Sequence, residues 1–238
     1  MKPEEVTETG RMGARITCLV AFNTRHGLLG PYWFQDEDGN TVTVNQERYR
    51  DVLGRLHEDM ARTMTETQMR LAWFMQDGAP PHTARETLQL LQELFGHRVI
   101  SKGSETEWAP HSPDLNPLDF WFWGACKDNV YRNKRSSLEE LRLSVEQYVR
   151  EVSADTAERV GASFLERVQM CLQRKGAHFE HMRKYKKTRK CCFFNYDDNL
   201  ILLGIFSRQI LLNDLANVFL PAVKILFSYL LPVLRNRR

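Results

Sequence analysis

The 238-residue sequence has few cysteines and no pattern among them. Cys18, Cys126 and Cys171 stand far apart, Cys191 and Cys192 are adjacent, and no CxxC pair occurs, so no zinc site is expected. The opening residues Met-Lys-Pro-Glu-Glu-Val are polar and acidic, unlike a secretory signal, and the simplest expectation is reduced thiols in an intracellular protein. No internal repeat is present. With 13 glycines, 42% hydrophobic and 26% charged residues, a collagen-like, wholly disordered or purely membrane-embedded chain is excluded.

Charge of one sign is also scarce, since 33 Lys and Arg face 30 Asp and Glu for a net +3. That small excess is unevenly placed. Residues 1–182 hold 22 basic and 27 acidic groups, whereas 183–190 (Arg-Lys-Tyr-Lys-Lys-Thr-Arg-Lys) hold six basic groups and no acid. The positive excess therefore lies wholly past residue 182.

After a polar lead over 1–14, the apolar runs Arg15 to Phe22 and Gly27 to Phe34 flank Asn23-Thr24-Arg25-His26, a pattern that predicts an antiparallel hairpin. Thr41 to Val44 is a short β-branched run. Tyr49, Val52, Leu53, Leu56 and Met60 then recur at helical spacing, predicting a helix over about 45–65. Arg70 to Met75 reads as a strand buried on both faces and stops at Gln76-Asp77-Gly78. Pro80-Pro81-His82-Thr83 breaks the chain before a helix carrying Leu88, Leu91, Leu94 and Phe95, with Gly96 placed to cap it. Arg98 to Ser101 is a candidate strand, 102–117 a loop, and Asp119 to Tyr131 a partly buried helix. Ser137 has capping-box spacing to Glu140 ahead of a helix with Leu138, Leu141, Val145, Tyr148 and Val149 on one face, and a last helix covers about 155–174. Strands with intervening helices followed by a helical end predict an α/β sheet with helices packed on it.

Two acidic positions carry chemistry. Asp77 sits where a strand ends, the place at which open α/β sheets hold side chains rigidly yet reach solvent, although an Asp there also caps turns. In Trp108-Ala-Pro-His111-Ser-Pro-Asp114-Leu-Asn116-Pro117-Leu-Asp119-Phe-Trp121, Asn116-Pro117 is a helix-start signal that puts Asp119 in the first helical turn. The helix dipole favours an ionised carboxylate there, as a divalent metal ligand must be. Asp114 and Asp119 as mere caps of that helix is the alternative.

The segments Gln76-Asp-Gly-Ala-Pro-Pro-His82 and Ser112-Pro-Asp-Leu-Asn-Pro-Leu-Asp-Phe-Trp-Phe-Trp-Gly124, in this order, resemble mariner-type transposases of the DDE/DDD superfamily, insect-like branch. The resemblance runs from about Arg15 to Met182 and includes Gly30-Pro-Tyr-Trp-Phe34, Val44-Asn-Gln-Glu-Arg-Tyr49 and the ending from Cys171 to His181. It implies a ribonuclease H-like mixed sheet with flanking helices, and three carboxylates holding two Mg2+ (or Mn2+) ions for DNA strand cleavage and transfer. Asp77 matches the second catalytic carboxylate and Asp119 the third, so both are the expected metal ligands. Two metals roughly 4 Å apart would activate the attacking oxygen and stabilise the leaving one. His82, Trp108 and His111 are candidates for a place near the site, but packing is the expected role for a helix-start histidine and a loop aromatic.

The resemblance places the first carboxylate on a strand upstream of the hairpin, central in the sheet between the second and fourth strands. No apolar strand ending in Asp occurs within residues 1–15. Asp36, Glu37 and Asp38 sit in an Asp-Gly-Asn turn, where a solvated acidic loop is the better reading. The expectation is thus a transposase-derived, N-terminally truncated protein lacking the first strand, its parent strand-transfer activity lost. Either the Ile16 strand pairs directly with the Leu71 strand, or the core is poorly stable. A non-catalytic nucleic-acid-binding or interaction protein is the alternative.

Past the core (15–182), the basic linker 183–190 offers Arg183, Lys184, Lys186, Lys187, Arg189 and Lys190 for salt-sensitive contact with nucleic acid, or for nuclear import. DNA is the expected partner, and nucleus or cytoplasm the expected location. The extension 191–238 is apolar and expected to be helical. Residues 215–234 are long enough to span a bilayer, yet Lys224, Pro221 and Pro232 weigh against insertion, so a membrane anchor is the minority reading.

Overall fold

The hairpin forms as the two apolar runs around Asn23-Thr24-Arg25-His26 predict. In a computed structural model describing residues 16–132, 137–177, 179 and 201–202, β1 (Cys18–Asn23) pairs antiparallel with β2 (Gly27–Trp33) in the register Cys18 to Trp33 through Asn23 to Gly27. Asn23 closes the turn because its side-chain oxygen accepts from the amides of Arg25 (2.8 Å) and His26 (2.6 Å). The register slips between Leu19 and Ala21, opposite Gly30. Gly30 has φ +97°, and a Cβ there would lie 3.0 Å from the Leu19 carbonyl oxygen, so the bulge requires glycine.

Helix α1 (Gln46–Thr63) is capped by Asn45, whose side chain accepts from the Arg48 amide, and buries Tyr49, Val52, Leu53, Leu56 and Met60. The predicted strand over Arg70 to Met75 is shorter than its apolar run. A capping box between Thr65 and Gln68 starts the short helix α2 (Glu66–Leu71), which takes up Arg70 and Leu71, and only β3 (Phe74–Met75) is strand. Pro80 to Thr83, expected only to break the chain, forms its own helical turn, α3 (Pro80–Thr83), since two prolines preset the first helical φ angles. Helix α4 (Arg85–Phe95) follows and ends at Gly96, φ +61°.

β4 (Val99–Ile100) lies parallel to β3, with α3 and α4 as the crossover. The loop 102–117 contains a 3-10 turn at Pro113–Leu115, and the next helix opens as a π-helical turn, Leu118–Phe122, before α5 (Trp123–Arg132). Helices α6 (Leu138–Glu151) and α7 (Ala154–Gln173) start at Ser137 and Ser153, whose hydroxyls accept from Glu140 and Thr156 amides. One cluster of buried apolar side chains, from Cys18 to Phe179, joins hairpin, helices and β3–β4.

The described strands form two hydrogen-bonded sets, β3–β4 and β2–β1–β5, where β5 is Ile201–Leu202. Of the two outcomes weighed for the Ile16 strand, direct pairing with the Leu71 strand is not the one seen: β1 is not hydrogen-bonded to β3. Its second edge pairs antiparallel with β5, Phe22 opposite Leu202 and Asn23 opposite Ile201. The extension was expected to be helical; its described part is this strand. The remainder of 191–238, with 215–234, lies outside the described residues, as does the basic run 183–190. Among the described residues no helix is long and apolar enough to cross a membrane.

Candidate metal centre

Asp77 lies two residues past the end of β3, whose pairing with β4 ends at Ile100. The Gln76 amide still donates to the Ile100 carbonyl at 2.9 Å, so the residue before Asp77 is held by the ladder. Asp77 Oδ1 accepts from the Ala79 amide at 2.7 Å, the turn-capping role weighed from sequence, and also lies 2.8 Å from His82 Nδ1. Both bonds fall on Oδ1, which leaves Oδ2 as the oxygen available to a cation. The side chain is 25% exposed, while His82 is fully buried.

His82 is both packing residue and polar partner. Its ring lies 4.5 Å from that of Tyr49, and its Nε2 is buried without a partner. A proton on that nitrogen would be a buried donor with nothing to meet, whereas an Nδ1–H can donate to Asp77 Oδ1. Beneath it, the Tyr49 hydroxyl donates to Gln76 Oε1 (2.5 Å), and Gln76 Nε2 donates to the His82 carbonyl (2.8 Å) and to Ser101 Oγ (2.9 Å). Burial, reinforced by the nearby Asp77 charge, raises the Tyr49 phenol well above its ordinary value and keeps it a neutral donor. Tyr49, Gln76 and Ser101 were not anticipated as site residues. The adjacency of Gln76 to Asp77 was the one available signal.

Asp119 is placed by different means. Asn116, 1% exposed, accepts at Oδ1 from the amides of Leu118 (3.1 Å) and Asp119 (3.4 Å), and its carbonyl accepts from Asp119 and Phe120. Asn116 thus satisfies the first amides of this helix, in keeping with the Asn-Pro helix-start signal. Buried Arg167 of α7 lies 3.9 Å over the Phe120 ring and donates to the Asp114 carbonyl at 2.9 Å, fastening both turns to the helix behind.

These elements bring Asp77 and Asp119, 42 positions apart, to the wall of one cavity of about 370 Å3. Gly78, Lys102, Trp108, His111 and Asn116 line it too, Lys102 having been unforeseen. Asp36 and Glu37 instead line a separate hollow beside Tyr32 and Arg55, and Asp36 closes its own turn by accepting from the Asn40 amide. Among the described residues no group of three or more His, Cys, Asp or Glu is arranged to hold a metal.

The fold has clear counterparts. The isolated catalytic domain of Mos1 transposase, solved with raltegravir and Mn, superposes with a TM-score of 0.56 at 24% identity, over 66% of this chain and 74% of that one. The Mos1 mariner paired-end complex with Mn gives 0.57 at 25% identity, over 76% of this chain and 48% of that one. A pre-cleavage Mos1 transpososome gives 0.61 at 22% identity, covering 76% and 50%. This chain shares its fold with these mariner transposase structures.

Its fold is accordingly the ribonuclease H-like one of their catalytic domain, as the two mariner-like motifs implied. Among curated proteins, human histone-lysine N-methyltransferase SETMAR is 23% identical over 139 residues, which is 58% of this chain and 19% of the human protein. The chain thus spans about a fifth of that relative. No family model matches.

Proposed function

We propose that this mariner-related chain is a DNA-directed protein in which Asp77 and Asp119 share a divalent cation, Mg2+ or Mn2+. The observation that carries the reading is their placement on one cavity wall despite the sequence distance between them. The donor chemistry fits: Mg2+ takes oxygen ligands, keeps several waters, and is commonly held by one or two carboxylates together with substrate phosphates. Asp77 would offer Oδ2, with Oδ1 tied to Ala79 and His82; Asp119 would offer a carboxylate in the first turn of its helix. When bound, such a cation polarises a phosphoryl oxygen and lowers the pKa of bound water. The residues themselves orient the two carboxylates, and the hydrogen bonds to Asp77 keep its charge directed into the cavity.

Strand cleavage and transfer is the activity that the family resemblance brings. In these 238 residues alone we propose it is lost, because two carboxylates and no third acidic ligand meet among the described residues. The core would be 15–182. DNA contact would be supplemented by Arg183, Lys184, Lys186, Lys187, Arg189 and Lys190, in the nucleus or cytoplasm.

Incubating the purified protein with end-labelled duplex and Mg2+ or Mn2+ tests this. Salt-sensitive retention of the duplex without cleavage is expected. Cleavage that disappears in Asp77→Ala and Asp119→Ala would overturn the proposed loss while supporting the site; no retention at low salt would overturn the DNA assignment.

A further inference from the structure

Asp77 has a counterpart on the neighbouring strand. β3 and β4 run parallel with Met75 opposite Ile100, so Asp77 and Lys102 each stand two residues past the paired ends, in equivalent positions. Open α/β sheets hold their ligands outside the carboxyl ends of the strands, which is where both side chains begin. The residues just before them are tied together, since Gln76 Nε2 donates to Ser101 Oγ at 2.9 Å. Ser101 is completely buried, and its amide donates to the Thr106 carbonyl (3.1 Å) and to Ser104 Oγ (3.0 Å), which fixes the turn that carries Lys102. The buried network that places Asp77 therefore places Lys102 as well. The stem of Lys102 lies over Gly78, where an added Cβ would come within 3.2 Å of Lys102 Cδ. Lys102 is exposed and lines the cavity with Asp77 and Asp119, yet among the described residues its ammonium group pairs with neither carboxylate. Asp77 Oδ1 is taken by the Ala79 amide and His82 instead.

We propose that Lys102 holds a DNA phosphate at the Asp77–Asp119 cavity, an inference that rests on the DNA and cation reading above. The charges balance on that assignment. Two carboxylates offset one divalent cation, and the Lys102 charge is left for the single negative charge of a phosphodiester. Without Lys102, a phosphate approaching this wall would meet two carboxylates and no fixed positive charge from the strand ends. A lysine on a flexible stem acts as a point charge, so it holds a phosphate in place without reading base sequence.

Fluorescence anisotropy of a labelled duplex over about 50 to 200 mM salt, beside Mn2+ titration of the DNA-free protein, tests this. Lys102→Ala is expected to weaken duplex binding by about tenfold. It should also lower the slope of log affinity against log salt by about 1. Lys102→Arg keeps the charge and should stay within about threefold of wild type. Without DNA, Lys102→Ala should bind Mn2+ at least as tightly as wild type, because a positive charge beside the carboxylates is gone. Unchanged duplex affinity and slope in Lys102→Ala, with a wild type that binds the duplex, would overturn the Lys102 assignment alone. So would a loss of Mn2+ affinity large enough to account for the weaker duplex binding, since Lys102 would then serve the carboxylates rather than the phosphate. A wild type that binds no duplex at low salt would overturn the DNA reading and this inference with it. A wild type that binds duplex but no Mn2+ would overturn the cation reading, while the salt slope still decides for or against Lys102.

Discussion

His82 Nδ1 and Asp77 Oδ1 are 2.8 Å apart, five residues distant in sequence, with the histidine fully buried and the aspartate at the cavity wall. The contact divides the carboxylate: one oxygen belongs to the protein and the other is left for a ligand. A metal-binding carboxylate positioned this way depends on its partner almost as much as on itself.

His82→Ala should therefore lower Mn2+ affinity by roughly 10- to 100-fold, the usual loss when the group orienting a metal ligand is removed. His82→Asn, which can restore a donor to Oδ1, should recover part of that loss. Equal Mn2+ affinity in wild type and His82→Ala, measured by electron paramagnetic resonance of free Mn2+, would show that the contact only packs.

Tyr49→Phe removes the donor to Gln76 and leaves its Oε1 buried and unsatisfied, which should destabilise the fold by about 1–3 kcal/mol. Urea unfolding followed by tryptophan fluorescence reads this directly. A change under about 0.5 kcal/mol would mean that Gln76 finds another partner.

Asn116→Ala should cost about 1 kcal/mol of stability through the lost cap and should also weaken Mn2+ binding, since the same side chain fixes the Asp119 amide. A stability loss without any effect on metal binding would separate Asp119 from the site.

Much of this architecture was legible in the sequence. The hairpin and helices α1, α6 and α7 carry their own periodicity and caps within a few residues, so local reading located them. The strand was drawn too long because Leu71 suits helix α2 as well as a strand, and the Thr65–Gln68 capping box decided between the two for Arg70 and Leu71. Asp77 and Asp119 were visible through their motifs. The bonds that place Asp77 were not: Tyr49 and Gln76 are 27 positions apart, and Gln76 and Ser101 are 25 apart. No pattern within one segment encodes such pairings. The pairing of β5 with β1 was hidden for the same reason, compounded by its length of two residues.

Alkaline pH should destabilise the protein. Burial raises the Cys126 thiol to about 11, only partly offset by Lys127, and burial raises Cys18 further and Tyr49 well above its ordinary value. Between about pH 8.5, where unfolded thiols ionise, and the folded values, the native state binds more protons than the unfolded state. This contribution is full below about pH 8.5 and is lost as pH rises through 11, with tyrosine adding to the decline above about pH 10. Thermal melts from pH 7 to 11 should show Tm falling, and Cys18→Ser with Cys126→Ser should flatten the first part of the fall. A Tm constant to pH 10.5 would contradict it.

The sharing of one cation by Asp77 and Asp119 is tested most directly by Mn2+ titration of wild type, Asp77→Asn, Asp119→Asn and the double variant. If both carboxylates hold the same ion, each single change lowers affinity at least about tenfold, and the double variant loses clearly less than the two losses multiplied. Single variants that bind as wild type does, or losses that multiply independently, would contradict a shared site.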